Sequence, residues 1–203
     1  HLLIRSESQF PPLPIEGSGL RRSKRPMIGI SEWLIYAVAI IANVDPGMEE
    51  DKMAQQEHVY LLKRGVPYWN QWRQQNPNVM PDLSNMDLAG ATLINVDFSR
   101  VNLCMANLSG ANLSMANLRE ANLSMANLSE AVLRMANLRA TNMQAANARE
   151  ADLRDADLRT ANLKVADLSA TDLRGANLEG ALLDMTILDH AKGRRKGFWN
   201  LFS

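Results

Sequence analysis

Ala106-Asn107-Leu108-Ser109-Gly110-Ala111-Asn112-Leu113-Ser114-Met115-Ala116-Asn117-Leu118-Arg119-Glu120 states one pattern three times: a small residue, Asn or Asp, Leu, a small or charged residue, and a variable one. The same register holds from Pro81 to His190. Its central position recurs from 83 to 188 in steps of five, 22 times in all, and is Leu everywhere except Phe98, Met143 and Ala148. Two residues before each centre stands Ala in most repeats, and otherwise Thr141, Thr171, Thr186, Val96, Val101, Met86 or Pro81. An unbroken internal period marks a solenoid, in which a single unit cannot bury its apolar side and must stack on its neighbours.

A period of five fits neither the 3.6 of a helix nor the two-residue alternation of a long strand. The backbone must therefore turn in every repeat. A very short extended piece followed by a corner lets the Leu and the residue two before it share one inward face, because positions two apart on an extended segment point the same way. Ala lets opposite walls approach and Leu fills the remaining volume, which makes a narrow, dry, close-packed interior. The period shows that the chain turns, and leaves the number of sides open.

Runs such as Ala106 to Ser114 and Ala176-Asn177-Leu178-Glu179-Gly180 resemble pentapeptide-repeat proteins, over about 110 of the 203 residues. The segment Leu61-Leu62-Lys63-Arg64-Gly65-Val66-Pro67-Tyr68-Trp69-Asn70-Gln71-Trp72-Arg73 also resembles the helical lead before the repeats in cyanobacterial members. The resemblance implies an all-β solenoid: a right-handed quadrilateral β-helix with four repeats per coil and an N-terminal helical cap. Four sides give about 5.5 coils and, at the usual strand spacing, a rod ~26 Å long in which residues 20 apart lie above one another. Met143 and Ala148 are then successive centres of one coil, and Ala in a slot elsewhere filled by Leu makes that coil the expected weak layer.

The 20-residue coil stacks the position after each centre into two basic columns: Arg134, Arg154 and Arg174 on one wall, Arg119, Arg139 and Arg159 on the next. Local neutralisation by Asp152, Asp172 and Asp157, with Glu120, Glu130, Glu150 and Asp155 at nearby corners, is the favoured explanation; a docking strip for an anionic partner is the sharper one. Asn precedes the centre in eleven repeats, at 102, 107, 112, 117, 122, 127, 137, 142, 147, 162 and 177, and such columns are expected to form amide ladders. Met105, Met115, Met125 and Met135 should alternate between opposite sides of the rod as tolerated corner residues.

The ends of a solenoid need covering. Residues 53–80 are expected to do this at the first coil: Ala54 to Arg64 reads as a helix carrying Val59 and Leu62, Gly65 ends it, and Pro67 starts a second helix that lays Trp69 and Trp72 on the repeats. At the other end, residues 191–203 form a basic and aromatic tail in which Lys192, Arg194, Arg195 and Lys196 precede Phe198 and Trp199. A cap over the last coil or a homodimer contact is preferred to a membrane seat. Residues 1–52 read as a disordered, targeting or expression-derived segment, rich at its start in Pro, Ser, Gly and Arg. The apolar run 33–44 is short for a membrane span, and Met53 would be a natural translational start. A cytoplasmic location is expected, with an exported, thylakoid-lumenal, periplasmic or membrane-tethered protein, held through residues 28–44, as the alternative.

Composition narrows function. Twenty-two basic residues balance 22 acidic ones, but residues 82–190 hold 14 Asp or Glu against 9 Lys or Arg, which argues against direct nucleic-acid binding. The single Cys104 rules out an intramolecular disulfide and should face outward as a Ser-like residue. His1, His58 and His190 are scattered, the carboxylates sit on convex walls, and there is no phosphate-binding Gly loop, so no catalytic residue, metal site or cofactor is expected and the chain does not read as an enzyme. A non-catalytic scaffold that binds a protein is the expected role. The resemblance supplies the alternative, a DNA mimic that protects DNA gyrase, although the Arg columns would interrupt its negative field. Ice binding lacks outward Thr columns, since Thr141, Thr171 and Thr186 point inward.

Overall fold

The computed structural model describes residues 50–193. Helix α1 spans Glu50–Lys63 and helix α2 spans Val66–Gln75, so α1 begins before the expected Ala54. Gly65 separates them at φ 107°, an angle that glycine adopts without a Cβ penalty, and Pro67 lies in the first turn of α2, where its missing N–H is not needed. The residues expected to tether or target the chain, 28–44, and the tail residues Phe198 and Trp199 lie outside the described residues. No helix among the described residues is long and apolar enough to cross a membrane.

From Pro81 onward each repeat contributes one bridge residue, the one before the centre, and every bridge is parallel and joins positions 20 apart, from Asp82↔Asn102 to Asp172↔Lys192. Twenty residues are four repeats, so the chain closes a four-sided turn before returning above itself. Three hydrogen bonds per repeat tie neighbouring coils: the Leu108 N–H donates to Asn127 O at 2.7 Å, the Gly110 N–H to Ser129 O at 2.8 Å, and the Asn127 N–H back to Ala106 O at 2.9 Å. A fourth closes the corner, from the Ala111 N–H to Leu108 O at 3.1 Å. These bonds pair the backbone groups that an isolated short strand would leave open.

Each corner ends on a residue of positive φ, as in type II turns. Glycine fills it only at 90, 110, 175 and 180; eighteen other residues adopt φ between 55° and 61°, including Met105, Glu130, Ala145 and the β-branched Val165. A side chain in this region costs about 1–2 kcal/mol. The inter-coil bonds on either side of the corner oppose that cost.

Inward, the centres from Leu103 to Leu138 are fully buried, together with Ala106, Ala111, Ala116 and their counterparts. The inward threonines are satisfied by carbonyls 23 residues earlier, on the preceding coil: Thr141 Oγ1 donates to Leu118 O at 2.8 Å and Thr186 Oγ1 to Leu163 O at 2.7 Å. Met143 and Ala148 are both fully buried. Toward the end of the described chain Leu178, Leu183 and Leu188 are only partly buried, since no described coil lies over them.

Two substitutions test this account. Ala148→Leu should raise the melting temperature by filling a slot of Leu size, with a gain of about 1–2 kcal/mol; a clear loss of stability would show the slot to be closed already. Ala145→Gly should stabilise by about 0.5 kcal/mol, the relief of left-handed strain exceeding the entropy glycine adds to the unfolded chain. Chemical denaturation of both variants beside the wild type measures each effect.

Candidate functional site: the arginine walls

The bridge position decides what the walls display. Its Asn side chain works in two directions: Asn122 Oδ1 accepts the Ser124 N–H at 3.2 Å and the Ser124 hydroxyl at 2.8 Å, while its Nδ2 donates to Asn102 Oδ1 at 3.0 Å. Repetition builds ladders through Asp82, Asn102, Asn122, Asn142 and Asn162, and through Asp87, Asn107, Asn127 and Asn147. Cys104 sits beside the first of these, half-buried, accepting a 3.3 Å contact from Ser124 Oγ.

Asp keeps the accepting half of this role and loses the donating half, because a carboxylate has no N–H to pass on. At three later bridge positions held by Asp, 152, 157 and 172, the Arg two residues on supplies the donors, whereas Asp167 receives the Ser169 N–H and Arg149. Arg154 binds Asp152 through Nε at 2.8 Å and Nη2 at 2.5 Å; Arg159 binds Asp157 at 2.8 and 2.6 Å; Arg174 binds Asp172 at 2.9 and 2.6 Å. The Arg154 Nε also lies 3.7 Å from Asp172. Bidentate charge-assisted bonds of this kind hold the carboxylates ionised. The Arg154 and Arg159 guanidiniums keep Asp152 and Asp157 below the ordinary range, and Arg174 pulls Asp172 down to about 2.

The six arginines of the two columns therefore divide. Arg154, Arg159 and Arg174 are committed to their own repeats. Arg119 pairs with Glu120 at 2.9 Å, a carboxylate that also receives Arg100 at 3.0 Å. Arg134 and Arg139 have no carboxylate in salt-bridge range among the described residues, because Val132 and Asn137 occupy their bridge positions. Between them, at the corner, Met135 is 60% exposed. Met115 stacks one coil above it; Met105 and Met125 share another corner column with Ala145, Val165 and Met185.

At the first coil the helix pair meets the repeats through residues that the repeat pattern does not reveal. Trp69 is fully buried, donates Nε1–H to Asp97 O at 2.7 Å and stands edge-on to Phe98 at 5.5 Å. Trp72 leans on Trp69, Leu62 is buried, and Val59 packs at the margin of the same core. Arg73, four residues after Trp69, is almost wholly buried; it donates to Val79 O at 2.7 Å and Ser99 O at 2.8 Å. A charged residue on the apolar face of an aromatic helix was the only sequence signal for it. An open hollow of about 460 Å³ beside α2 is lined by Val66, Pro67, Asn70, Thr92, Ile94 and Asn95, none of them titratable. No group of His, Cys, Asp and Glu that could hold a metal ion occurs among the described residues.

Four-sided parallel coils whose outer columns are knitted by side-chain ladders define a β-solenoid of the short-repeat class. The family model for Pentapeptide repeats (8 copies) matches segments 87–124, 97–134, 126–164 and 161–192, just over half of the chain, and the protein belongs to that family. Its members form right-handed quadrilateral β-helices and are generally structural or interaction modules. A solved pentapeptide repeat protein from the Arabidopsis thaliana thylakoid lumen is 36% identical, over 48% of this chain and 68% of its own, with a TM-score of 0.47. One from the cyanobacterium Cyanothece 51142 is 29% identical, over 62% and 94%, with a TM-score of 0.38. QnrB1, a plasmid-mediated fluoroquinolone resistance protein, is 19% identical over 54% and 70%, with a TM-score of 0.32, a likeness of fold alone. No curated protein matches the chain.

The Asp172 pairing has a signed pH consequence. A carboxyl held below its unfolded value stabilises the fold above that value and loses the contribution as pH falls through its folded one. The melting temperature of wild type should exceed that of Asp172→Asn at pH 6, and the difference should close as pH falls from about 4 toward about 2. A difference independent of pH would show that the carboxylate charge contributes nothing.

Proposed function

We propose that this chain is a non-catalytic scaffold that presents two adjoining walls of its rod, and the corner between them, to a protein partner, with Arg134 and Arg139 as the primary contact and Met135 between them. The observation that carries this reading is the division of the arginines. Three are consumed by the ladder carboxylates, whereas these two make no salt bridge among the described residues, feel Asp152 and Asp157 only at longer range, and flank an exposed apolar side chain. Arg and Met are both enriched in protein interfaces, and an unpaired guanidinium fits a carboxylate bidentately. The partner surface is accordingly acidic with an apolar centre. Arg119, Arg154, Arg159 and Arg174 border this patch as structural members of the same walls.

In this reading the 22 repeats make about 5.5 coils, and the helix pair closes the first of them. Residues 193–203, with Phe198 and Trp199, would cover the partly exposed Leu178 and Leu183 or meet a second copy there. Mimicry of duplex DNA is disfavoured, because Asp152, Asp157 and Asp172 spend their charge on neighbouring arginines and leave no unbroken negative face.

Affinity capture from an extract of the native cell tests the wall. Wild type should retain a partner that the Arg134→Glu/Arg139→Glu double variant loses by at least about tenfold, while Ser129→Glu, on another wall, retains it. Equal capture by the double variant would remove the arginine patch from the function.

A further inference from the structure

In the interior of the rod the bridge residue donates its N–H to a carbonyl of the coil before, as Asn122 does to Val101 O at 3.0 Å. The first coil has no predecessor, and side chains of the helices stand in on two of its walls. Asn70 Oδ1 accepts the Asp97 N–H at 2.8 Å, and His58 Nδ1 accepts the Asp82 N–H at 3.3 Å. His58 is 6% exposed and stands edge-on to Trp72 at 5.3 Å, itself packed on Trp69.

An acceptor Nδ1 must be unprotonated, which places the imidazole proton on Nε2. A second proton would turn Nδ1 into a donor facing a donor and bury a positive charge. The charged groups around the ring divide in their effect. From the first coil the Asp82 carboxylate favours the imidazolium, but its Oδ1 is already engaged by the Ser84 N–H at 2.8 Å and Asn102 Nδ2 at 3.0 Å. From α2 the buried Arg73 opposes it. On α1 itself Glu57 is half-buried.

We propose that His58 is a pH-sensitive latch: protonation of Nδ1 breaks its bond to the Asp82 N–H and loosens the hold of α1 on the first coil. Burial lowers the His58 pKa, Asp82 partly opposing and Arg73 reinforcing. The latch is therefore fully seated above the unfolded value of about 6.5 and weakens as pH falls through the folded one. The other shifted groups do not imitate this loss. Asp152, Asp157 and Asp172 are held low by their arginines, and burial raises the Glu57 pKa, which makes acidification favour its folded form.

The latch rests on the helix pair closing the first coil, and amide exchange separates the two ideas. Protection factors, corrected for intrinsic exchange, are measured by NMR on the full chain from pH 7.5 to 5. Wild type should protect the Asp82 amide at pH 7.5 more than the edge amide of Thr92. Below about pH 6.5 the Asp82 protection should fall by up to about tenfold per pH unit, while Leu118 stays constant. In His58→Asn, whose Oδ1 accepts in the Nδ1 position without titrating, and in His58→Gln, the Asp82 profile should be flat. An Asp82 amide as open as Thr92 at pH 7.5 would overturn the closing role of the helices. Protection that is high and independent of pH in wild type, or the same pH profile in either variant, would overturn the latch alone. Direct titration of the His58 ring in wild type decides the matter if neither variant folds: an apparent pKa at or above about 6.5 overturns it.

Discussion

The rod depends on one constraint, that the chain must turn through a corner every fifth residue and return in register after four corners. Each corner places a residue in the left-handed region, and for eighteen of them that residue carries a side chain. Such strain persists only where the surroundings overdetermine the backbone. Here the three inter-coil hydrogen bonds of each repeat do so, and they form only if the 20-residue register is kept. Local strain and global stacking are thus coupled. No coil is stable alone, and each holds its neighbours to the same geometry.

The same register turns a small chemical difference into a surface property. Asn at the bridge position passes a hydrogen bond from coil to coil, while Asp stops it and, at 152, 157 and 172, recruits an Arg from its own repeat. The walls therefore carry two kinds of arginine that look alike in a count of charges. One kind is part of the fabric, and the other, at Arg134 and Arg139, makes no salt bridge among the described residues. Net charge would miss this distinction, because it depends on the residue two positions earlier.

Much of the rod was legible in the sequence. The period placed Leu and Ala inward, put Thr141 and Thr171 in the core, and aligned the Asn and Arg columns. All these follow from side-chain direction in a strictly repeating backbone. The number of sides was not legible from the period, since turning every five residues is compatible with more than one polygon. The left-handed corners were hidden because their composition is so varied, Met and Glu and Ala and Val instead of glycine. The junction with the helices was hidden for a different reason. His58, Asn70 and Arg73 substitute for the backbone of an absent coil, so their partners are main-chain atoms that no side-chain pattern announces.

The first coil is held differently from the coils that follow it, and the difference bears on how the rod would come apart under a pulling force. At the first coil, carbonyls and amides on two walls are held by helix side chains over a buried Trp69 and Phe98. Because each coil is bonded to the next in the same way, extension would proceed in steps of 20 residues, the lost coil exposing another like it.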